Sequence, residues 1–519
     1  MAWRCAASIA ALFLLTCAGP SRAQDVTLTS RDGAVELSGT LLGFDGEYYR
    51  VDTKFGELTV DGSGVTCDGP GCPSLSDFVA EVAFSGSSTM AEVLLPALIE
   101  GFAFSNGYRA ERIALGEDHF EYRLTVEATD AILARFRFRV TTTDEGFADL
   151  LANEADVVLA LREVRPAESA RAREAGMGDL SDPPRSRVVA LDAMVPVVAP
   201  DNPVRQISTP ALARVFAGEI TNWAELGGPD APIALHLPDP GSGLAQAVED
   251  YLLKPGNLVL SPETIRHRLS SGMVAAVAGD PFGIGLASYA ETGGARMLTL
   301  TGGCGFRMSA NRQTIKTEDY PLTAPMFLYL PARRLPKTGR DFLAFLRSPT
   351  AQIVIRRAGF VDQSPEETGV DVQGDRFANA ILSAGPEVPL AELKRMVGVL
   401  KPMARLTTSF RFEPGSSRPD AQSRANIAQL ASEIESGAFD ARRLVFVGFS
   451  DGEGAADSNR NIALARAEAV RMAVLESAEA MDPERLELEV EAFGEALPMA
   501  CDDSDWGRKA NRRVEVWVE

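Results

Sequence analysis

Across residues 404–519 the apolar side chains switch between two periods, and that alternation leaves few folds open. Leu444 to Phe449 is an apolar run of strand length, and Leu486, Leu488, Val490 and Ala492 alternate with Glu487, Glu489 and Glu491. Val514, Val516 and Val518 repeat the two-residue period, which marks half-buried strands. Between these runs Ile427, Leu430, Ala431 and Ile434 share one helical face, and Ala463, Ala467, Val470 and Val474 share another. The order strand, helix, strand, helix, strand, strand predicts a small α/β sandwich. Asp451 falls in the loop after the Leu444–Phe449 strand, and Arg466 lies 15 residues later, near the start of the next helix and seven residues after Asn459. A carboxylate and a guanidinium held together can take both ends of a zwitterion. Two isolated charges of this kind are usually solvated surface groups, so the surrounding residues decide.

Those residues form ordered blocks. They are Phe410-Arg-Phe412 with Gly415-Ser416, Val447-Gly-Phe-Ser-Asp451 with Gly454 and Asn459, and Leu464-Ala-Arg-Ala467. Phe493-Gly-Glu495 with Pro498 and Asn511-Arg-Arg-Val-Glu-Val516 complete the series. By these blocks residues 404–519 resemble the OmpA-like peptidoglycan-binding domain, with Phe449 and Ser450 standing where the family usually has His and Thr. The resemblance implies capture of a wall stem peptide, whose diaminopimelate side chain carries both charges. Asp451, Asn459 and Arg466 would hold it, and Arg513 would either reach the ligand or close the sheet.

A chain of 519 residues exceeds one hydrophobic core, and three domains are expected. Residues 1–24 contain Arg4, an apolar run from Ala6 to Leu15 and a small-residue cleavage pattern at Ser21-Arg-Ala23; they read as a secretory signal peptide. Cys17 follows Leu14-Leu15-Thr16, a poor lipidation signal. No later stretch reaches the roughly 20 apolar residues of a spanning helix, so an exported, soluble protein is expected. The formal charge is −21, and the leader carries two arginines and no acid. Such a surface repels nucleic acid and requires any anion site to be locally organised.

Cys67 and Cys72, flanking Gly69-Pro-Gly71, suit a local disulfide in an oxidising space, whereas Cys304 and Cys501 receive no assignment. His119, His236 and His267 are scattered, so no metal site and no cofactor are predicted. Within residues 25–75, Val26–Thr29, Val35–Ser38, Tyr48–Val51 and Glu57–Val60 read as strands separated by turns. A small β-barrel or curled sheet with a docking or spacer role is expected.

Residues 76–362 alternate strand and helix patterns as a large α/β unit does. The strand Val82–Ser85 runs into Gly86-Ser-Ser-Thr89 and an apolar helix, and Asp239-Pro-Gly-Ser-Gly243 precedes a second helix. Loops of this kind offer N–H groups, hydroxyls and a positive helix end to an oxyanion, although a serine there is often only a helix cap. Phe84-Ser-Gly-Ser-Ser-Thr89, Ala155-Asp156, Ala160-Leu-Arg-Glu163, Val215-Phe-Ala-Gly-Glu-Ile-Thr-Asn-Trp223, Gly241-Ser-Gly243, Phe282-Gly-Ile-Gly285 and Tyr320-Pro-Leu322 carry a further resemblance. It is to the phosphate-transport (PstS-like) branch of type 2 periplasmic solute-binding proteins. The resemblance implies two lobes around a cleft, the chain crossing out near residues 165–190 and back near 285, and phosphate held by Ser85, Ser87, Ser88, Thr89, Ser242 and Gly243.

Several positions depart from that pattern. Leu244 replaces a Thr, Pro238 an Arg and Leu161 a Ser, while Asp144 and Glu145 bring carboxylates toward the cleft. Arg162 would then serve as a structural ion pair. Each lost donor to a buried phosphate costs roughly 1.5–3 kcal/mol.

The expected architecture is α/β multidomain: signal peptide 1–24, small N-terminal β unit 25–75, bilobed type 2 periplasmic-binding-protein fold 76–362, linker with a helix at Leu390–Leu400 over 363–403, and OmpA-like α/β sandwich 404–519. The expected function is a periplasmic, wall-associated binding protein, not an enzyme. Peptidoglycan and a small anion such as phosphate are the expected partners, with outer-membrane association as a further one. A wall-anchored scaffold with a degenerate solute site is the alternative.

Overall fold

The computed structural model describes residues 25–74, 78–413, 416–482 and 485–519. The leader, Cys17 and Gly415 lie outside the described residues. The chain divides into two compact units: the N-terminal segment up to Ala80 with Pro336–Thr338, and everything else.

The first unit is a five-stranded antiparallel sheet in the order Gly56–Asp61, Tyr48–Thr53, Glu36–Phe44, Val26–Ser30, Val65–Asp68. Val26, Leu28, Tyr49 and Val51 alternate onto one face and form its core. The last strand turns Val65 and Cys67 onto that core and is held by its ladder to Val26–Ser30 and by the Cys67–Cys72 disulfide, whose Cα atoms lie 5.8 Å apart.

The second unit holds the large α/β region. Its main sheet runs Ile265–His267, Ala234–Pro238, Gly283–Ser288, Ser186–Val198, Thr323–Tyr329, Val157–Ala160, Ala80–Ser87, Ile132–Thr141, His119–Val126, Tyr108–Ala114. The 13-residue strand Ser186–Val198 spans both lobes: one part pairs with Thr323–Tyr329 and its far end with Gly283–Ser288. The crossing out at 186 follows the sequence reading, whereas the return is at Thr323. Residues 283–288 stay in the second lobe because they also pair in parallel with Ala234–Pro238.

The C-terminal sheet has the order Glu367–Gly369, Ala404–Arg411, Arg513–Val518, Arg443–Phe449, Glu487–Gly494. Helices Ala421–Glu435 and Ala456–Ser477 cover one face through Ile427, Leu430, Val470 and Val474. The expected linker is corrected here. Helices Gly374–Ser383 and Leu390–Leu400 pack Ala380, Leu393, Met396 and Leu400 on the opposite face, against Val445, Val447, Phe449 and Trp517, and residues 367–369 extend the sheet edge. Strands buried on both faces require this second layer.

The two-lobed and C-terminal domains are joined by more than chain connectivity. Cys304 and Cys501, 197 residues apart, form a disulfide. Ala500 and Ala510 enter the hydrophobic core of the second lobe. Asp319 pairs with Arg405 at 2.8 Å and Arg411 at 3.1 Å, and all three are buried. Thiol labelling of unreduced, denatured protein is therefore expected to miss Cys67, Cys72, Cys304 and Cys501; quantitative labelling of any one would contradict its bridge.

Candidate functional sites

The first site forms where strand Arg443–Phe449 meets helix Ala456–Ser477. At Gly448 an added Cβ would stand 2.0 Å from the Ala463 carbonyl oxygen, so only glycine lets the helix backbone lie against the strand. That approach sets the 450–455 loop over the helix face carrying Asn459 and Arg466, both buried. Asp451, 8% exposed, accepts a hydrogen bond on Oδ2 from Arg512 Nη1 at 2.5 Å. Asp502 braces the loop, accepting from Gly452 N and from Asn511 Nδ2, each at 2.8 Å.

Around Asp451 four buried polar atoms have no partner among the described residues: Ser450 Oγ, Asn459 Nδ2, Arg466 Nε and Glu495 Oε1. Arg466 lies over the Phe412 ring, 5.2 Å from its centroid. Burial and the charge of Arg512 lower its pKa, while Asp451 opposes them. Burial, then Glu387, Asp502 and Asp451, push the Glu495 carboxyl upward. The site gathers the carboxylates Asp451 and Glu495 with the guanidinium groups of Arg466 and Arg512.

Arg513 does not belong to it. Its side chain is fully buried, donating to Glu515 at 2.7 Å and to the Leu497 carbonyl at 2.9 Å. The arginine at Asp451 is its neighbour Arg512, which sequence reasoning missed. The signal was present: Val514, Val516 and Val518 face the two-helix core, so strand alternation sends Arg513, Glu515 and Trp517 to the other face. Phe449, the departure from the family pattern, is buried with its ring 4.3 Å from the Arg513 guanidinium.

The second site is the cleft between the lobes. Ser85 is spent inside the first lobe, donating to Asp149 Oδ2 at 2.5 Å, which corrects its assignment as a ligand. Ser87 is fully buried and its Oγ has no partner among the described residues. Gly243 of the opposing lobe lies against it, since an added Cβ there would stand 2.7 Å from Ser87 Oγ and 3.0 Å from Leu161 Cδ1. Ser88 and Thr89 are half-buried, and Thr89 makes no capping hydrogen bond. Ser242 Oγ caps its own helix, accepting from Ala245 N at 3.1 Å, which leaves its O–H available to donate.

Across the cleft, Gln246 Oε1 accepts from Thr143 N at 3.1 Å, and Thr143 begins helix Thr143–Leu151. A neutral side-chain oxygen thus occupies a helix N-terminus suited to an anion. Arg162 is held by Glu168 at 2.7 Å and by Asp144, with Asp250 at 3.8 Å. Burial opposes its charge, yet these carboxylates keep its pKa raised. Asp144 is correspondingly spent on Arg162 and Arg165, and Glu145 closes a capping box with Thr142. Neither carboxylate is free to set the charge of a ligand.

A two-lobed α/β fold joined to a smaller α/β sandwich defines the class: a binding-protein type of fold followed by a second α/β module. Residues 73–350, more than half of the chain, match the PBP superfamily domain, and residues 411–512 match the OmpA family. The chain belongs to the PBP superfamily, with a PstS-type domain fused to an OmpA domain. A phosphate-binding protein PstS of Borreliella burgdorferi is 24% identical over 190 residues, covering 34% of this chain and 65% of that protein. Protein SphX of Synechococcus elongatus is 26% identical over 238 residues, covering 43% and 67%. The chain thus spans about two thirds of the length of these relatives. Among solved structures, an ABC-type phosphate transport receptor from Vibrio cholerae is 19% identical, covering 54% of this chain and 99% of its own, with a TM-score of 0.42.

Proposed function

We propose that this protein is exported to the periplasm, binds peptidoglycan non-covalently through its C-terminal domain, and presents its two-lobed domain at the wall to capture a small oxyanion such as phosphate. Association with the outer membrane belongs to the same proposal. The observation that carries the wall reading is the set of unpartnered buried atoms around Asp451. Leaving such atoms unsatisfied costs about 1–3 kcal/mol each, and a zwitterion answers them together. Its carboxylate accepts from Arg466 and Asn459; its ammonium donates to Asp451 and Glu495. Retention of the full chain on purified peptidoglycan, with release by free diaminopimelate, tests this reading. Retention that diaminopimelate leaves unchanged would count against it.

For the cleft, the likeness to phosphate-binding proteins motivates phosphate, with Ser87, Ser88, Thr89, Ser242 and backbone N–H groups near Gly243 as its donors. A second reading, the scaffold with a degenerate site, is favoured by the Gln246 contact and by the closeness of Ser87 to Gly243. Calorimetry with inorganic phosphate separates them. Capture predicts that Ser87→Ala weakens binding at least tenfold, about 1.4 kcal/mol, while Gln246→Ala strengthens it by freeing the Thr143 N–H. No binding heat from either the native protein or Gln246→Ala would leave the scaffold.

A further inference from the structure

A cavity of about 150 Å³ lies between the solute-binding and C-terminal domains. Arg187 and Val188 line it from the long shared strand, and Leu343, Leu346 and Arg347 from the closing segment of the first lobe. Ala425 lines it from helix Ala421–Glu435. It is separate from both sites described above.

The charges around it are unbalanced. Arg187 is half-buried, its Nε is buried without a partner, and it forms no ion pair among the described residues. Arg347, exposed at the same cavity, forms none either. Burial, reinforced by the Arg347 charge, lowers the Arg187 pKa. Arg424, also on the wall, is already satisfied by the Pro419 carbonyl at 2.8 Å and by Glu413 at 3.6 Å. Glu433, the carboxylate at the cavity, pairs with neither open arginine. Elsewhere between these domains the buried arginines Arg405 and Arg411 meet Asp319. In a chain of formal charge −21, two arginines at one cavity without an ion-pair partner among the described residues are donors available to an anion.

We propose that this cavity binds a small organic carboxylate, its charged end taken by Arg187 and Arg347 and its apolar body resting on Val188, Leu343, Leu346 and Ala425. An apolar cavity of about 150 Å³ accommodates a benzene ring, which sets the size of the body at about six carbons. Because the walls come from two domains, occupancy adds a contact between them and stabilises the folded chain by mass action. Ligand sites favour such domain junctions.

The test uses the full chain with benzoate as probe, at constant ionic strength, followed by calorimetry and thermal unfolding. Benzoate is expected to bind saturably and raise the melting temperature, with benzyl alcohol and inorganic phosphate at least tenfold weaker. The double variant R187Q/R347Q is expected to lose benzoate affinity at least tenfold while keeping or exceeding the unliganded melting temperature, because it removes uncompensated charge. Ala425→Phe, which fills the cavity, is expected to do the same to binding. Undiminished benzoate binding in the arginine variant, equal binding of the alcohol or of phosphate, or no saturable benzoate binding to the native protein would each overturn the proposal.

Discussion

Asp319→Ala is expected to destabilise the fold by about 3–5 kcal/mol, the usual result of removing one partner from a buried charge network. Asp319 receives hydrogen bonds from Arg405 at 2.8 Å, Arg411 at 3.1 Å and Thr317 Oγ1 at 2.8 Å. Arg405 also lies 3.3 Å from Glu515, which binds Arg513 and Arg376. Removing the aspartate leaves two guanidinium groups buried without their main counter-charge. The exposed pair Arg109–Asp130, also at 2.8 Å, decides the role of burial by contrast: Arg109→Ala is expected to leave stability near native, since exposed ion pairs contribute little.

The same network sets an acid limit. Burial raises the pKa of Asp319, but Arg405 and Arg411 outweigh it and hold the carboxyl well below its ordinary range. For Glu515 the arginines Arg376, Arg405 and Arg513 likewise overcome burial, lowering it to about 2. A carboxylate with a depressed folded pKa contributes stability that is fully present above its unfolded value of about 4, and that is lost as pH falls through the folded one. The native protein is therefore expected to weaken steeply below about pH 4, and Asp319→Ala to flatten that slope. Urea unfolding at pH 7 and pH 3.5 measures both. A variant as stable as the native chain at pH 7 would contradict the role given to Asp319.

Sequence pattern reached the elements whose burial is one-sided or whose chemistry is local. The strands at Val26, Tyr48 and Arg443, the helices carrying Ile427 and Ala467, and the loop-to-helix frame of Asp451 all follow from short-range periodicity. It failed where the deciding contact is distant. Cys304 and Cys501 lie 197 positions apart in sequence, and their spacing carries no signal. Helices Gly374–Ser383 and Leu390–Leu400 read as a connector because the strands they cover lie more than 40 residues away; the continuous run Leu444 to Phe449, buried on both faces, was the clue that another layer existed. The choice between Arg512 and Arg513 turned on which face of the last strand meets the helices. The Gln246–Thr143 contact joins two lobes, and no local pattern marks it.

The cluster around Asp451 is the centre of the account, and its two charges should act as one unit. Asp451→Asn removes the charge that meets an ammonium, and Arg466→Ala removes the clamp on a carboxylate. Breaking either side of a desolvated pair costs roughly 2–5 kcal/mol of binding, a loss of about 30-fold or more in affinity. Arg513→Lys separates site from scaffold: Arg513 is fully buried and bonded to Glu515, so this change is expected to lower stability while leaving wall affinity near native in the folded protein. The full chain is the right material, because a 404–519 fragment would lose the helices covering Val445, Val447 and Trp517 and the cysteine that bridges Cys501. Co-sedimentation of native, Asp451→Asn and Arg466→Ala proteins with purified peptidoglycan is the direct measurement. The account predicts that the native chain sediments and that both variants stay in the supernatant; variants that sediment as the native chain does would contradict it.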